Sequence, residues 1–563
     1  MGILAAVAGI VLAAAASFCA PVRPETVRKA PPSARLEERG TLRRLGQSYL
    51  TRRQGIFEAR FAGGAYERGY SRGKLAYREI VRGESAIYGL IERYFPSPIK
   101  RFFLRRAIAV NLRESIPEIP AEHNEEIVGL SDSVDPDPFP HDWNPFARHL
   151  ALHALHDFSQ RYVDETPLAA ACTGFAASGR ATAEGHTLLA RNFDFEAGDL
   201  FDTEKIVAYI VPAGGIPYLS VTFAGLTGVT SGFNREGIGI AVNAWSGGPT
   251  AAAGEPATLV AADVLERAAT MAQAIRIIER ASVFVSDIYL LADGKTGDIA
   301  AVEKTPQAFA VRRGRDWLAV ANHPETPELS RGRPLHATST SPYRRRRLEE
   351  LLSAASGRLD VTSAAGVLRD RQGLNDKDIG PGNRNAINAL ISSHSVVFDL
   401  SARRAWVATA PHGLGTFVAY SLDLGLEAGP EDARFGGLAA LGVPPDTWLV
   451  SGGYRDYEAA RRFYLEGRGA LRHRRLAAAA ASAEDALRLA PRFVEALAMR
   501  ADAEAALGKF AAARSDCLAA LARDPSPPTF ARSLEAFCAT VEAGRRPTGR
   551  LAYPDSPSDP PLP

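Results

Sequence analysis

The sequence predicts an α+β sandwich placed between two mainly helical regions. Three observations predict it. Residues 172–425 alternate short apolar segments, such as "KIVAYIV", "GIGIAVNAW", "DIYLLAD" and "SVVFDL", with a few longer helical runs. Residues 56–171 carry apolar side chains at helical spacing, as in "SAIYGLIERYF" and "AEHNEEIVGLSDS". After residue 455 the strand-like segments stop, and the chain becomes Ala-rich and helical. At 563 residues it is too long for one ordinary core, so two or more domains are expected.

Residues 1–20 hold an uncharged run, "ILAAVAGIVLAAAAS", that suits the apolar part of an export signal. It falls short of the roughly 20 apolar residues of a membrane span, and no basic stretch precedes it. Export to a periplasmic or extracellular location is expected, with an uncleaved N-terminal membrane anchor left open. Residues 21–55, rich in Pro and Arg, read as a linker. Residues 56–171 read as a helical segment ahead of the sandwich. Within the sandwich, "ATLVAADVLERAATMAQAIRIIERA" and "RRRRLEELLSAAS" read as helices.

In residues 455–545, "ALRLAP" ends at Pro491 and "ALARDP" at Pro525, 34 residues later. That period with a closing proline predicts tetratricopeptide-like repeats, and with them a protein partner. Residues 546–563, ending "SPSDPPLP", read as a disordered tail. Cys517 and Cys538 read as two small helix-packing residues, able to pair if oxidised.

The balance of 66 basic and 64 acidic residues gives no case for a nucleic-acid partner. There is no cysteine and histidine spacing of a zinc site and no phosphate-binding loop or dinucleotide fingerprint, so no metal or cofactor is expected. What remains is Cys172, alone between Cys19 and Cys517. By itself it reads as a small buried hydrophobe. Its surroundings are less ordinary. Arg191 and Asp194 punctuate the apolar strand "LLARNFDFE", where buried charge is costly without a partner or a purpose. Asn243 ends "GIGIAVN" and Asn322 ends "WLAVAN". Each asparagine reads as a turn cap. Each could equally aim an N–H at a developing oxyanion.

The ordered series "CTGFAA", "GHTLLARNFDF", "GFNREGIGIAVN", "ANHP", "SPYRRRRL" and "HSVVFDL" resembles peptidase family C45. These are the isopenicillin-N acyltransferase-like proteins, relatives of choloylglycine hydrolases and penicillin V acylases within the N-terminal-nucleophile (Ntn) hydrolases. Upstream, "GGAYERGYSRGK" and "EEIVGLSDS" look like that family's pre-nucleophile region, so the resemblance spans about residues 56–425. It implies a four-layer αββα sandwich, a helical pro-segment, and a Cys172 nucleophile freed by cleavage between Ala171 and Cys172. Arg191 and Asp194 match the pair that holds the cysteine's sulfur and amino group. Asn243 and Asn322 match the oxyanion asparagines, and Arg344 a late arginine of the site. Arg345, Arg346 and Arg347 crowd that last register, and the whole basic run also reads as a solvated helix face. Asn234 competes with Asn243. The implied reaction is hydrolysis or acyl transfer at the amide bond of a small N-acyl substrate, without a cofactor. Two other readings stay open. One pairs Cys172 with His186, His323 or His394 in a protease-like dyad. The other is an inactive sandwich serving as a scaffold for the repeats.

Overall fold

The computed structural model describes residues 20–24, 29–30, 32–141, 143–162, 172–245, 247–331, 339–547, 549 and 551–554. The expected export run lies almost wholly outside these residues, as does Ala171. Among the described residues, no helix is long and apolar enough to cross a membrane.

Strands with period-two alternation bury both faces here, and this builds the layers. The larger sheet runs in the order Leu36–Arg39, Leu42–Leu45, Ser48–Arg53, Ile56–Gly63, Ile206–Pro212, Tyr218–Thr222, Ser231–Asn234, Ile238–Ala244, Asp287–Asp293, Ile299–Lys304 and Phe309–Gly314. Only the pairing of Ile56–Gly63 with Ile206–Pro212 is parallel. The smaller sheet runs Trp317–Val320, Thr173–Ala177, Leu188–Asp194, Ser392–Asp399, Arg404–Ala408 and Phe417–Ser421.

Alternate residues of one strand enter different cores. Ile288 and Leu290 pack between the two sheets with Leu189, Val396, Phe398 and Val407. Tyr289 and Leu291 point the other way, into a core with Leu75, Ile80, Val260 and Ile278 from the helices covering the larger sheet. Across the smaller sheet, Phe175, Val397 and Trp406 pack on Leu348, Leu352 and Leu368 from helices Ser341–Ala355 and Val361–Leu368. The order is helix, sheet, sheet, helix, and the α+β expectation stands at that level.

Four expectations need correction. Residues 36–53, read as linker, form three strands. Gly40, Gly46 and Gly55 (φ +59°, +57° and +87°) punctuate "LEERGTLRRLGQSYLTRRQG" as hairpin turns, and the arginines sit on a sheet edge that water can reach. Residues 56–63 are not helical. Their strand is masked in the sequence by Glu58, which is fully buried but paired with Arg53 (2.7 Å) and Tyr49 (3.2 Å). Cys517 and Cys538 form a disulfide with Cα atoms 5.6 Å apart, so helices Phe510–Leu521 and Pro528–Glu542 are bonded and not merely packed. In the expected tail, Leu551 is buried and Tyr553 stacks on Phe530 under the Arg468 guanidinium.

The two pre-nucleophile motifs meet. Helices Ala65–Leu75 and Ala121–Ser133 approach so closely that a Cβ on Gly69 would strike the Glu126 carbonyl, and one on Gly129 the Tyr66 carbonyl. Arg68 joins Glu126 (2.6 Å) and Glu266 (3.0 Å) across them. The helical run 257–281 divides into Ala257–Arg267 and Met271–Arg280. Asn234 closes the end of the first by donating to the carbonyls of Leu265 (2.9 Å) and Ala268 (2.8 Å).

Beyond the sandwich lie helices Gly453–Arg472, Leu476–Leu489, Val494–Ala506, Phe510–Leu521 and Pro528–Glu542. Small alanines let them pack closely, and their core also takes in Leu390 and Leu414.

Candidate active site

Cys172 lies immediately before strand Thr173–Ala177 and is fully buried. Antiparallel pairing places Gly174 opposite Arg191 and Thr173 opposite Asn192. Asp194 ends that neighbouring strand, and its main chain and the Arg191 guanidinium lie near enough to Cys172 to favour a negative charge on its sulfur.

Arg191 is buried, and its two terminal nitrogens donate to the carbonyls of Thr230 (2.9 Å) and Val242 (2.5 Å), the Ser231 hydroxyl (2.9 Å) and the Asn243 side-chain oxygen (3.3 Å), while its Nε has no hydrogen-bond partner among the described residues. Asp194 accepts a 2.5 Å bond from Ser392, while its Oδ2 has no hydrogen-bond partner. Arg344 enters from the first turns of helix Ser341–Ala355. It donates to the Cys172 carbonyl (2.8 Å), the Thr173 hydroxyl (2.6 Å) and Asn322 Oδ1 (2.8 Å).

The two asparagines interlock. Asn243 Nδ2 donates to the Ala321 carbonyl (3.0 Å), and Asn322 Nδ2 donates to the Ala244 carbonyl (2.9 Å). An amide NH₂ has two hydrogens, so each bond fixes the side chain and leaves the second hydrogen to donate elsewhere. The Asn322 main-chain N–H is held by the Ser341 hydroxyl (2.7 Å).

Cys172, Arg191, Asp194, Asn243, Asn322 and Arg344 are therefore linked through neighbouring bonds. The register Arg344 is the one that reaches the cysteine. Arg347 instead bonds Asp370 (2.9 Å), and Arg345 bonds Glu325 (2.9 Å). Asn234 is engaged at its helix end. The dyad candidates bond elsewhere: His394 to Ser231 (2.9 Å), His323 to Ser341 (2.7 Å) and His186 to Asp399 (2.8 Å).

Burial dominates the electrostatics. It pushes the Cys172 thiol up, against the Arg191 and Arg344 charges and the Asp194 N–H, while the Asp194 charge adds to the rise. Burial also lifts the Asp194 carboxyl from 3.8 to about 6, although Ser392 and the two arginines oppose it. The same burial depresses both guanidiniums. Two buried cations face one carboxylate here. Their charge offsets part of the cost of a thiolate at Cys172 without overcoming burial.

Sequence reasoning missed the apolar space beside the thiol. Cys172 packs with Ile87, Leu90, Phe193, Phe195 and Ala244. A cavity of about 90 Å³ lies behind these side chains, between Ile80, Phe193, Phe201 and Phe223, and Cys172 itself is not part of its wall. A second, of about 130 Å³, lies between Leu90, Leu104, Ile108 and Trp143. Ile87, Leu152, Leu155 and Phe195 line both. The helical Ile87, Leu152 and Leu155 look like ordinary core in the sequence, because a cavity wall and a packed core share one apolar periodicity. Ser392 was also missed, since a serine in a strand carries no signal of its partner.

Comparison with known proteins finds one family match and several partial likenesses. Residues 181–412 match the model of the family described as "Acyl-coenzyme A:6-aminopenicillanic acid acyl-transferase". The match takes in Arg191, Asp194, Asn243, Asn322 and Arg344 and begins after Cys172. An uncharacterized protein of Archaeoglobus fulgidus is 25% identical over 384 residues, covering 61% of this chain. The chain spans 62% of that relative's length. Among solved structures, a Caenorhabditis elegans ortholog of N-acylethanolamine-hydrolyzing acid amidase is 20% identical, with a TM-score of 0.31 over 41% of this chain and 93% of its own. A mutant conjugated bile acid hydrolase from Clostridium perfringens is 14% identical, with a TM-score of 0.29 over 45% of this chain and 92% of its own. The family resemblance carried by the motif series stands on the family match.

Proposed function

With residues 181–412 matching the acyl-transferase family, we propose that the chain is a self-cleaving cysteine amidohydrolase or acyltransferase acting on N-acyl amides. The observation that carries this reading is the bond of buried Arg344 to the Cys172 carbonyl and to an interlocked asparagine pair that also engages buried Arg191, with an apolar cavity behind the Phe193 and Phe195 that pack with Cys172.

A buried thiol needs a base, and in this reading Cys172 supplies its own. In the precursor, the sulfur attacks the Ala171 carbonyl carbon and the peptide C–N bond breaks. The proton moves to the departing nitrogen, leaving a thioester. Water adds to that carbonyl and the C–S bond breaks. The products are an Ala171 carboxylate and a Cys172 with free amine and thiol. An α-amine has a pKa of about 8, close enough to neutrality to take the thiol proton. In this reading the unpartnered Asp194 Oδ2 accepts from the ammonium that results.

In turnover the sulfur attacks the substrate's amide carbonyl. The second hydrogens of Asn243 and Asn322 stabilise the oxyanion, at a few kcal/mol per donor. The leaving nitrogen takes the proton and departs as amine. Water then gives the acid, or a second amine gives a new amide. The acyl chain lies in the cavity bounded by Phe193, Phe201 and Phe223, whose apolar wall suits a hydrocarbon. The fold in this reading is an Ntn-hydrolase sandwich, with residues 56–171 as the pro-segment and the C-terminal helices as tetratricopeptide-like repeats for a protein partner. Export, with or without an N-terminal anchor, completes it.

The test is a denaturing gel with intact mass. Purified protein is expected as two fragments split before residue 172, and Cys172→Ala as one. An unbroken chain that hydrolyses N-acyl amides defeats the self-cleavage step. An unbroken, inert chain in both proteins favours the scaffold.

A further inference from the structure

Tyr343 and Arg344 are adjacent on helix Ser341–Ala355, yet they serve different parts of the molecule. Arg344 reaches Cys172, while the Tyr343 hydroxyl donates to Asp524 Oδ2 (2.7 Å) in the connection between helices Phe510–Leu521 and Pro528–Glu542. The same hydroxyl accepts from the Leu374 N–H (3.0 Å), so its rotation is fixed from two sides. Asp524 is itself held. Its other oxygen pairs with Lys377, and its carbonyl accepts from Asn383 and Asn385 (both 3.1 Å). It stands at φ +46°, a left-handed conformation that Asp tolerates better than most residues. The segment after Asn385 runs on to Ser392, the hydroxyl that holds Asp194.

We propose that Asp524 is a positioning residue for Arg344, acting through Tyr343, so that the C-terminal helices set the geometry at Cys172. This rests on the reading of Cys172 as nucleophile. The physical reason is leverage. The guanidinium must span three acceptors at 2.6–2.8 Å, and a tilt of the helix start moves it off all of them together. Ser341 ties that turn to Asn322 on one side. The Tyr343 bond ties it to the C-terminal helices on the other.

The experiment uses the full, processed chain with Tyr343→Phe, Asp524→Asn, the double variant, and Arg492→Ala as control. Arg492 also bridges the two parts, through Asp378 (2.9 Å), without touching the helix turn. Two readouts are taken: hydrolysis of an N-acyl p-nitroanilide series, and the pH midpoint of Cys172 alkylation by iodoacetamide. Each single variant is expected to lower kcat about tenfold with KM changed less than about twofold. Each should raise the alkylation midpoint by about half a unit, as the arginine withdraws from the thiolate. The double should be no worse than either single, and Arg492→Ala should match wild type. Unchanged midpoints in folded Tyr343→Phe and Asp524→Asn, or effects that multiply in the double, overturn the proposal. If Asp524→Asn fails to fold, Tyr343→Phe decides, since it removes one hydroxyl. Shifted midpoints without turnover on any amide leave the positioning intact and defeat the amidase reading.

Discussion

Arg344 donates a 2.8 Å hydrogen bond to the carbonyl oxygen of Cys172, joining the start of a helix to the residue just before a strand, 172 positions earlier. The same guanidinium spans Thr173 and Asn322. Lysine keeps the charge but cannot bridge three acceptors in one plane. Arg344→Lys should therefore reduce kcat/KM about 100-fold without unfolding the protein, while the rate of chain cleavage falls in parallel. Initial rates on an N-acyl p-nitroanilide, beside intact mass, check both. A lysine variant with wild-type kinetics would show that charge alone suffices.

The raised Asp194 carboxyl makes a prediction about pH. Its folded value, about 6, lies above the ordinary 3.8, so folding favours its protonated form. The stability it contributes is present below about 4 and is lost as pH rises through about 6. At pH 8 the ionised group burdens the fold by ~3 kcal/mol, from two units at 1.36 kcal/mol each. In the uncut Cys172→Ala chain, where no ammonium faces Asp194, adding Asp194→Asn keeps the shape and removes that burden, so its Tm at pH 8 should equal or exceed that of Cys172→Ala alone, with the advantage gone at pH 4. Thermal melts at the two pH values decide. A melting point several degrees below that of Cys172→Ala at pH 8 contradicts the argument.

Asn243 and Asn322 hold each other through main-chain carbonyls on opposite strand ends. Removing either amide takes one proposed oxyanion donor and loosens the other. Asn243→Ala and Asn322→Ala should each cut kcat by about 10²–10³-fold, and the double should fall short of the product of the two. A fully multiplicative double would show two independent donors.

The site residues were legible because polar groups interrupting apolar strands are conspicuous. Arg191, Asp194, Asn243 and Asn322 all break runs that otherwise read as buried strand, and the order of those breaks carried the resemblance. Arg344 was legible only through that resemblance. Three neighbouring arginines share its chemistry, and only the helix phase selects the one facing Cys172. The first strands were illegible because charge in "LEERGTLRRL" looks like linker, whereas at a sheet edge it is compatible with pairing. Glu58 hid another strand by burying a charge whose partners, Tyr49 and Arg53, sit on the strand before it. The cavity wall was illegible for a different reason, since what makes it a wall is an absence of packing atoms.

Leu155 lines both cavities, with Ile87 and Phe195. A larger side chain there narrows the space without touching the polar cluster. Leu155→Trp should shift preference toward short acyl groups, changing the ratio of kcat/KM for dodecanoyl over hexanoyl p-nitroanilide by about tenfold or more. Equal losses on both substrates would place the acyl chain elsewhere.

The Cys517–Cys538 disulfide closes a loop of 21 residues, and Asp524 lies inside it. By loop entropy the bond stabilises the C-terminal helices by about 3 kcal/mol. Their core includes Leu390 and Leu414 from the sandwich, so the loss is felt beyond the helices. Cys538→Ser should lower the Tm by several degrees, with the helices becoming the first region to exchange amide hydrogens. Because the freed loop carries the Asp524 carboxylate that holds Tyr343, the same variant should also reduce kcat at temperatures well below its melting point. Deuterium uptake by mass spectrometry and turnover at 15 °C separate the two effects. Early exchange in residues 510–542 with undiminished turnover would mean that the disulfide serves stability alone.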